Sequence, residues 1–182
     1  MSLVIRRARE SELDEIARVV SAAYEQYRSI LRDHDAPHVR DAIDRYLRDV
    51  ADVRGRAAEE GVEVFVARLH ERVVGTGTLY TPGGARTYAE RLGTTTSWPD
   101  DWAGLRVLAV DPSLRGRGIG RALIEARVQR ASALGATAVA LHTSRELIAA
   151  HRLVNQLGFE RVPEFDHHPI PEIHAEAYVR RT

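Results

Sequence analysis

Val110-Asp111-Pro112-Ser113-Leu114-Arg115-Gly116-Arg117-Gly118-Ile119-Gly120-Arg121 is the stretch on which the reading of this chain turns. Arg106 to Val110, leading into it, reads as a short buried strand. Behind it, Ile124, Val128, Ala131 and Leu134 keep helical spacing up to a capping Gly135. Glycines at 116, 118 and 120 remove the Cβ atoms that hold a ligand off the backbone. The helix start adds unpaired N–H groups and the positive end of its dipole. The combination suits phosphate groups, with Arg115, Arg117 and Arg121 as charge-assisted partners. A Gly-rich turn carrying surface arginines is the plainer alternative.

Two familiar phosphate loops do not fit. The Walker loop needs Gly-Lys-Ser/Thr, and all 26 basic residues of this chain are arginines. The dinucleotide fingerprint needs G-x-G-x-x-G with an acid about 20 residues on. Here the glycines run G-x-G-x-G, and the next strand, Ala138 to Leu141, ends without a carboxylate.

Outward from the loop, strands and helices are interleaved. Ser2 to Arg9 opens with a strand. A helix follows from Ser11 to about Arg28, its apolar face made by Leu13, Ile16, Val20, Tyr24 and Tyr27. Pro37 opens a second helical stretch that fades near Gly61. Val62 to Thr81 is a hairpin broken at His70-Glu71-Arg72. Pro82 to Gly104, with Trp98 and Trp102, is too long for a plain connection, so it is either functional or hides a short helix. Downstream, Leu147 to Leu157 is a helix closed by Gly158. Phe159 to Val162 and Ala175 to Val179 are terminal strands. Helices between strands, with hairpins in the middle and at the end, predict a mixed sheet with helices on both faces.

Composition narrows the function. The 182 residues are 44% hydrophobic, which suits one domain over 1–182. Lys+Arg and Asp+Glu are 26 each, so no net charge draws the chain to nucleic acid. With no cysteine, thiolate metal sites and a Cys acyl-enzyme are excluded. No run of about 18 apolar residues can span a bilayer, and Met1 to Glu10 lacks the apolar stretch of a signal peptide, so a cytoplasmic protein is expected.

The segment Val110 to Gly120 resembles the acetyl-CoA-binding R/Q-x-x-G-x-G/A signature of the Gcn5-related N-acetyltransferases (GNAT). Leu141-His142-Thr143-Ser144, Ala150-His151-Arg152-Leu153 and Leu157-Gly158-Phe159 resemble that family's later strand, helix and Gly-Phe segment. The resemblance implies an α/β fold with a mixed, mostly antiparallel sheet and a splayed parallel pair, 105–110 and 138–143. Acetyl-CoA would lie in the V, its pantetheine on the backbone of Leu108, Ala109 and Val110. Its pyrophosphate would rest on the N–H groups of residues 116 to 121, which include Ile119. A backbone N–H at a strand bulge near Val110 would stabilise the oxyanion.

The chain also departs from the family pattern. The tyrosine that often protonates the departing thiolate is replaced by Val154, left here as a lining residue. His151, one turn earlier, is the nearest substitute acid. No carboxylate stands early on the strand before the motif; Asp101, with Asp100 beside it, lies just upstream, and Glu63 is a weaker candidate base. Tyr24, Tyr27, Trp98 and Trp102 are candidates for the acceptor pocket, although the tyrosines equally suit core packing. His34, Asp35 and His38, and His167, His168 and His174, are read as solvated loop residues, with no metal site.

The expected function is transfer of acetyl from acetyl-CoA to a primary amine of a small molecule or peptide, by direct attack. No metal, nucleic acid or membrane is involved, and a homodimer is a possible assembly. The alternative is a non-catalytic acyl-CoA-binding module with the same fold.

Overall fold

The computed structural model describes residues 3–30, 36–94 and 97–182. Its strands are β1 (Leu3–Arg7), β2 (Val62–Leu69), β3 (Arg72–Tyr80), β4 (Trp102–Val110), β5 (Ala138–Ser144), β6 (Glu160–Arg161), β7 (His167–Ile170) and β8 (Ile173–Arg181). Its helices are α1 (Leu13–Tyr24), α2 (Gln26–Ile30), α3 (Pro37–Ala51), α4 (Val53–Ala57), α5 (Ala85–Leu92), α6 (Ile119–Ala133) and α7 (Ile148–Gln156). One sheet runs β1-β2-β3-β4-β5-β8-β6, with β7 also on β8. Every pairing is antiparallel except β4 with β5.

Alternation along the strands explains the two layers of helix. Phe65, Ala67, Val74, Leu79, Ala103, Leu105, Val139 and Leu141 pack with Ile119, Leu123, Val128 and Val154 of α6 and α7. Their neighbours Val64, Val66, Val73, Val107 and Ala109 face the other way, against Ile16 and Val20 of α1 and Val39 and Ile43 of α3. A sheet covered on both faces needs apolar residues at both phases, and β2 and β3 supply them.

Of the two readings of the long connection, the hidden short helix is present as α5. Three expectations are corrected: first, β4 begins at Trp102, four residues before the predicted strand. His167 to Ile170, read as part of a turn, is β7 on the free edge of β8. The bulge in β4 lies at Val107–Leu108, not near Val110: Thr76 faces Ala109 and Thr78 faces Arg106, so three steps on β4 oppose two on β3. Val107 has a φ of 53°, which a β-branched residue adopts only where its surroundings enforce it.

Candidate active site at the strand divergence

β4 and β5 pair only from Trp102 with Ala138 to Leu105 with Leu141. Beyond that rung the strands separate, and the edge of β4 from Arg106 to Val110 has no strand beside it on the β5 side. The bulge also resets the phase of β4. Leu108 and Val110 turn towards the α6–α7 layer, while Val107 and Ala109 turn towards α1 and α3.

Past Val110 the chain makes a short 3-10 turn at Pro112–Leu114, held by the Asp111 carboxylate on the amide and hydroxyl of Ser113 (2.9 and 2.7 Å). It then enters α6 through Gly116 and Gly118, both at positive φ (76° and 79°). A Cβ on either glycine would point into open space, whereas one on Gly120 would touch Leu153 at 3.4 Å. Among the described residues no acceptor is bound by any amide from Gly116 to Arg121. Six N–H groups at the positive end of a 15-residue helix suit an anion.

The predicted arginine partners divide. Arg117 is exposed and makes no bond among the described residues, which leaves its guanidinium for a phosphate. Among the described residues Arg121 reaches only Gln156, at 3.4 Å. Arg115 is committed elsewhere: it donates to the Ala23 carbonyl (3.0 Å) and the Gln26 side chain (3.2 Å), tying the loop to the end of α1. Val154 is buried in the core between α6 and the sheet, so it does not line the groove; Leu153, beside Gly120, does.

On the α1–α3 side of the divergence stand residues from seven elements and the loop before β4. Tyr24 and Tyr27 stack at 5.3 Å, and Tyr46 of α3 closes the trio at 6.0 and 5.4 Å. Burial pushes the pKa of Tyr24 and Tyr27 well up, and the neighbouring Tyr46 hydroxyl adds to it, so both remain neutral. Arg106, the first β4 residue beyond the last paired rung, points into this layer and bonds Asp49. His142, the matching residue of β5, accepts from or donates to the Tyr88 hydroxyl (3.2 Å) and meets the Phe165 carbonyl (2.8 Å). Trp98 stacks on His142 at 5.3 Å, and His167 meets it edge-on at 4.7 Å. Burial lowers the pKa of both histidines, that of His167 to about 4, so both rings are neutral near pH 7.

Tyr24, Tyr27 and Trp98, expected at the acceptor pocket, thus stand together with Tyr46, Tyr88, Arg106, His142 and His167, which the sequence did not single out for it. The one signal for Arg106 was a charge inside an apolar strand. Other candidates lie elsewhere. Trp102 is at the closed end of the parallel pair, against Phe165 (5.6 Å) and under the Arg181 guanidinium (5.3 Å). Asp101 accepts from Thr137 (2.6 Å) at that same closed end, and Asp100 is exposed there with its carbonyl on Gly83. Glu63 faces α6 and is held by Arg130 (2.7 and 3.0 Å), whose bonds lower its pKa. None of these carboxylates reaches the divergence.

His151 is placed between the Ser144 carbonyl (Nε2, 3.0 Å) and the Tyr178 hydroxyl (Nδ1, 2.9 Å). With Nε2–H donating to a carbonyl, Nδ1 is left as acceptor, and both nitrogens are engaged. Of the other histidines, His38 pairs with Glu172 (2.7 Å), His174 with Asp166 (2.7 Å), and His168 stacks on His174 (4.5 Å). His34 and Asp35 lie outside the described residues. Among the described residues no cluster of His, Asp or Glu is arranged to hold a metal ion.

Comparison with known proteins agrees with this geometry. The sequence profile of the Acetyltransferase (GNAT) family matches residues 18–159. N-acetylaspartate synthetases from Danio rerio and Xenopus tropicalis are 38% and 36% identical over 72 residues, 40% of this chain. That match spans only 26% and 27% of their own lengths. Among solved structures, the PaiA N-acetyltransferase of Thermoplasma acidophilum, in complex with coenzyme A, superposes with a TM-score of 0.67 at 13% identity, covering 97% of this chain and 98% of that one. A GNAT acetyltransferase from Staphylococcus aureus gives 0.65 at 15%, covering 99% of both. A Gcn5-related enzyme from Kribbella flavida gives 0.59 at 21%, covering 99% and 98%. At such identities these structures speak for the fold. No helix among the described residues is long and apolar enough to cross a membrane.

Proposed function

The chain belongs to the acetyltransferase (GNAT) family, and from that premise we propose that it is an acetyl-CoA-dependent N-acetyltransferase acting on a primary amine of a small molecule or peptide. One observation carries the reading: an unpaired β4 edge runs directly into six amides without acceptors at the start of α6. A long acyl carrier that ends in a diphosphate matches that sequence of donors. The curated relatives' name, N-acetylaspartate synthetase, agrees with formation of an N-acetyl bond.

Acetyl-CoA supplies an acyl group already activated as a thioester; the amine nitrogen bonds to its carbonyl carbon as the C–S bond breaks, the nitrogen loses a proton and the sulfur gains one. The protein's task is chiefly placement, an effect worth roughly 7–11 kcal/mol of barrier. The amides from Gly116 to Arg121, helped by Arg117, hold the diphosphate. The exposed backbone of Leu108 and Val110 aligns the carrier along β4, and an amide at the Val107–Leu108 bulge is aimed at the thioester oxygen. The neutral tyrosines and histidines on the α1–α3 side wall the acceptor from bulk water. No side chain is needed as a general acid, since a thiolate is a stable leaving group.

The reaction requires no metal. The zero net charge favours a small or peptide acceptor over a nucleic acid, and a cytoplasmic setting suits the absence of cysteine. A homodimer is compatible with the fold. Thiol release with acetyl-CoA and a panel of amines tests the proposal. Calorimetric binding of coenzyme A with no thiol release for any acceptor would instead favour the non-catalytic acyl-CoA-binding alternative.

A further inference from the structure

Six buried polar atoms gather on the α1–α3 side of the divergence without a hydrogen-bond partner among the described residues. They are Nε and Nη1 of Arg106, the Tyr80 hydroxyl, the Trp98 indole nitrogen and both ring nitrogens of His167. Buried polar groups are seldom left unmade, and such a concentration marks a place that a bound molecule completes. Three of the six, the two Arg106 nitrogens and the indole N–H, can only donate. The missing partner is therefore rich in acceptors.

Charge points the same way. Arg106 is 7% exposed and Arg56, adjacent to it, 1%. Burial lowers the pKa of Arg56, and repulsion from Arg106 adds to that. Arg56 spends its Nη1 and Nη2 donors on the carbonyls of Asp49 and Val50, so it has no carboxylate of its own. Asp49 is shared between Arg106 and Arg91 (2.8 Å), and Arg91 also holds Glu59 (2.6 Å) and lies 3.6 Å from Asp52. Burial also opposes the charge on Arg106, but Asp49, Tyr46 and Tyr80 outweigh it and hold its pKa above the ordinary value. Among the described residues Asp49 is the one carboxylate bonded to either Arg56 or Arg106, and Arg106 keeps Nε and Nη1 for a further acceptor, which a carboxylate would engage.

We propose that the acceptor is a small amine bearing a carboxylate, an amino acid or close analogue, and that Arg106 binds this carboxylate while the amine stands where β4 and β5 part. The assignment rests on the acetyltransferase reading above and adds the substrate class.

The test uses the intact wild-type chain and matched acceptors: several amino acids, each beside its carboxamide and its decarboxylated amine. We expect kcat/KM for thiol release to be at least tenfold higher for the acid in each set. In Arg106→Gln the preference should collapse to within about threefold, through a raised KM for the acid, with the KM for acetyl-CoA unchanged. Equal or faster turnover of the carboxamides overturns the carboxylate assignment while leaving acetyl transfer intact. Because Arg106 is buried and its replacement can impair folding, a second measurement needs no variant. Calorimetry of the wild-type chain loaded with coenzyme A should register N-acetyl amino acids and not their amides. Indifference between the two also overturns the assignment, and failure to bind coenzyme A at all overturns the reading beneath it.

Discussion

The guanidinium of Arg127 occupies the space that a side chain at Gly77 would fill. Arg127 comes from α6 and is 1% exposed, with no carboxylate beside it. Its Nε donates to the Leu123 carbonyl (2.9 Å), and its Nη1 to the carbonyls of Thr78 (3.1 Å) and Arg106 (3.3 Å). Thr78 and Arg106 face each other on the rung just before the bulge. Where the extra residue of β4 interrupts the ladder, Arg127 satisfies the carbonyls the ladder leaves open. The cost is a buried cation, and burial lowers its pKa to about 10.

Arg127→Met should therefore split stability from function. It relieves the desolvated charge but abandons the two carbonyls, each worth about 1–3 kcal/mol when left unmade. Net stability should fall by no more than ~3 kcal/mol in urea unfolding, while the KM for acetyl-CoA rises several-fold as the bulge relaxes. Gly77→Ala, which drives a methyl group into the guanidinium, should show the same pairing of effects. Unchanged acetyl-CoA kinetics in both variants would refute a role for Arg127 in holding the bulge.

The loop glycines should separate by conformation. At Gly118 an alanine must adopt the left-handed region, costing about 1–2 kcal/mol, and its methyl group projects where the diphosphate is placed. Gly118→Ala should weaken coenzyme A binding at least tenfold by calorimetry. Gly120→Ala meets only ordinary contact with Leu153, so its melting temperature should stay within about 2 °C of the parent. The reverse order of sensitivities would mean that the ligand does not lie over Gly118.

The contrast between these two regions explains how far the sequence could be read. The phosphate loop is contiguous: glycine spacing, helix start and preceding strand all lie within Arg106 to Arg121, so its chemistry was legible. The α1–α3 side of the divergence joins Tyr24 and Tyr27, Tyr46, Trp98, Arg106, His142 and His167 from distant parts of the chain, and no local pattern marks their meeting. Tyr46 falls at an apolar position of the Pro37 helix, where nothing in the sequence sets it apart from its neighbours. Asp101 and Trp102 were placed in the long connection because the start of β4 was put at Arg106; with β4 starting at Trp102, both fall at the closed end of the strand pair. The bulge is a matter of register between β3 and β4, which periodicity within either strand does not reveal.

His151 is expected to be a positioning residue. Both its ring nitrogens are engaged, so His151→Gln should lower stability by about 1–2 kcal/mol, the worth of one or two buried hydrogen bonds. The pH dependence of kcat should keep its shape between pH 6 and 9. Loss of a limb of that profile, with kcat down tenfold or more, would instead make the imidazole the proton donor to the thiolate.

Acid should unfold the chain in two separate windows. Burial, with repulsion from His142, His168 and Arg106, holds His167 at about 4 against 6.5 in the unfolded chain. Between those values the unfolded state binds a proton that the folded state refuses, so stability is full above pH 6.5 and falls as the pH drops towards 4. The slope is at most about 1.4 kcal/mol per pH unit for this one group, a total of ~1–3 kcal/mol. Glu12 responds lower down. Hydrogen bonds from Arg6 at 2.7 and 2.8 Å, with Arg68 and the Arg9 amide assisting, hold its carboxylate at about 2, so its contribution is lost only below about pH 4.5. Urea midpoints measured from pH 7.5 to 3 should show both stages. His167→Gln should flatten the upper one and leave the lower, and Glu12→Gln should do the opposite. An upper stage that survives in His167→Gln would assign it to His142, whose pKa burial also lowers.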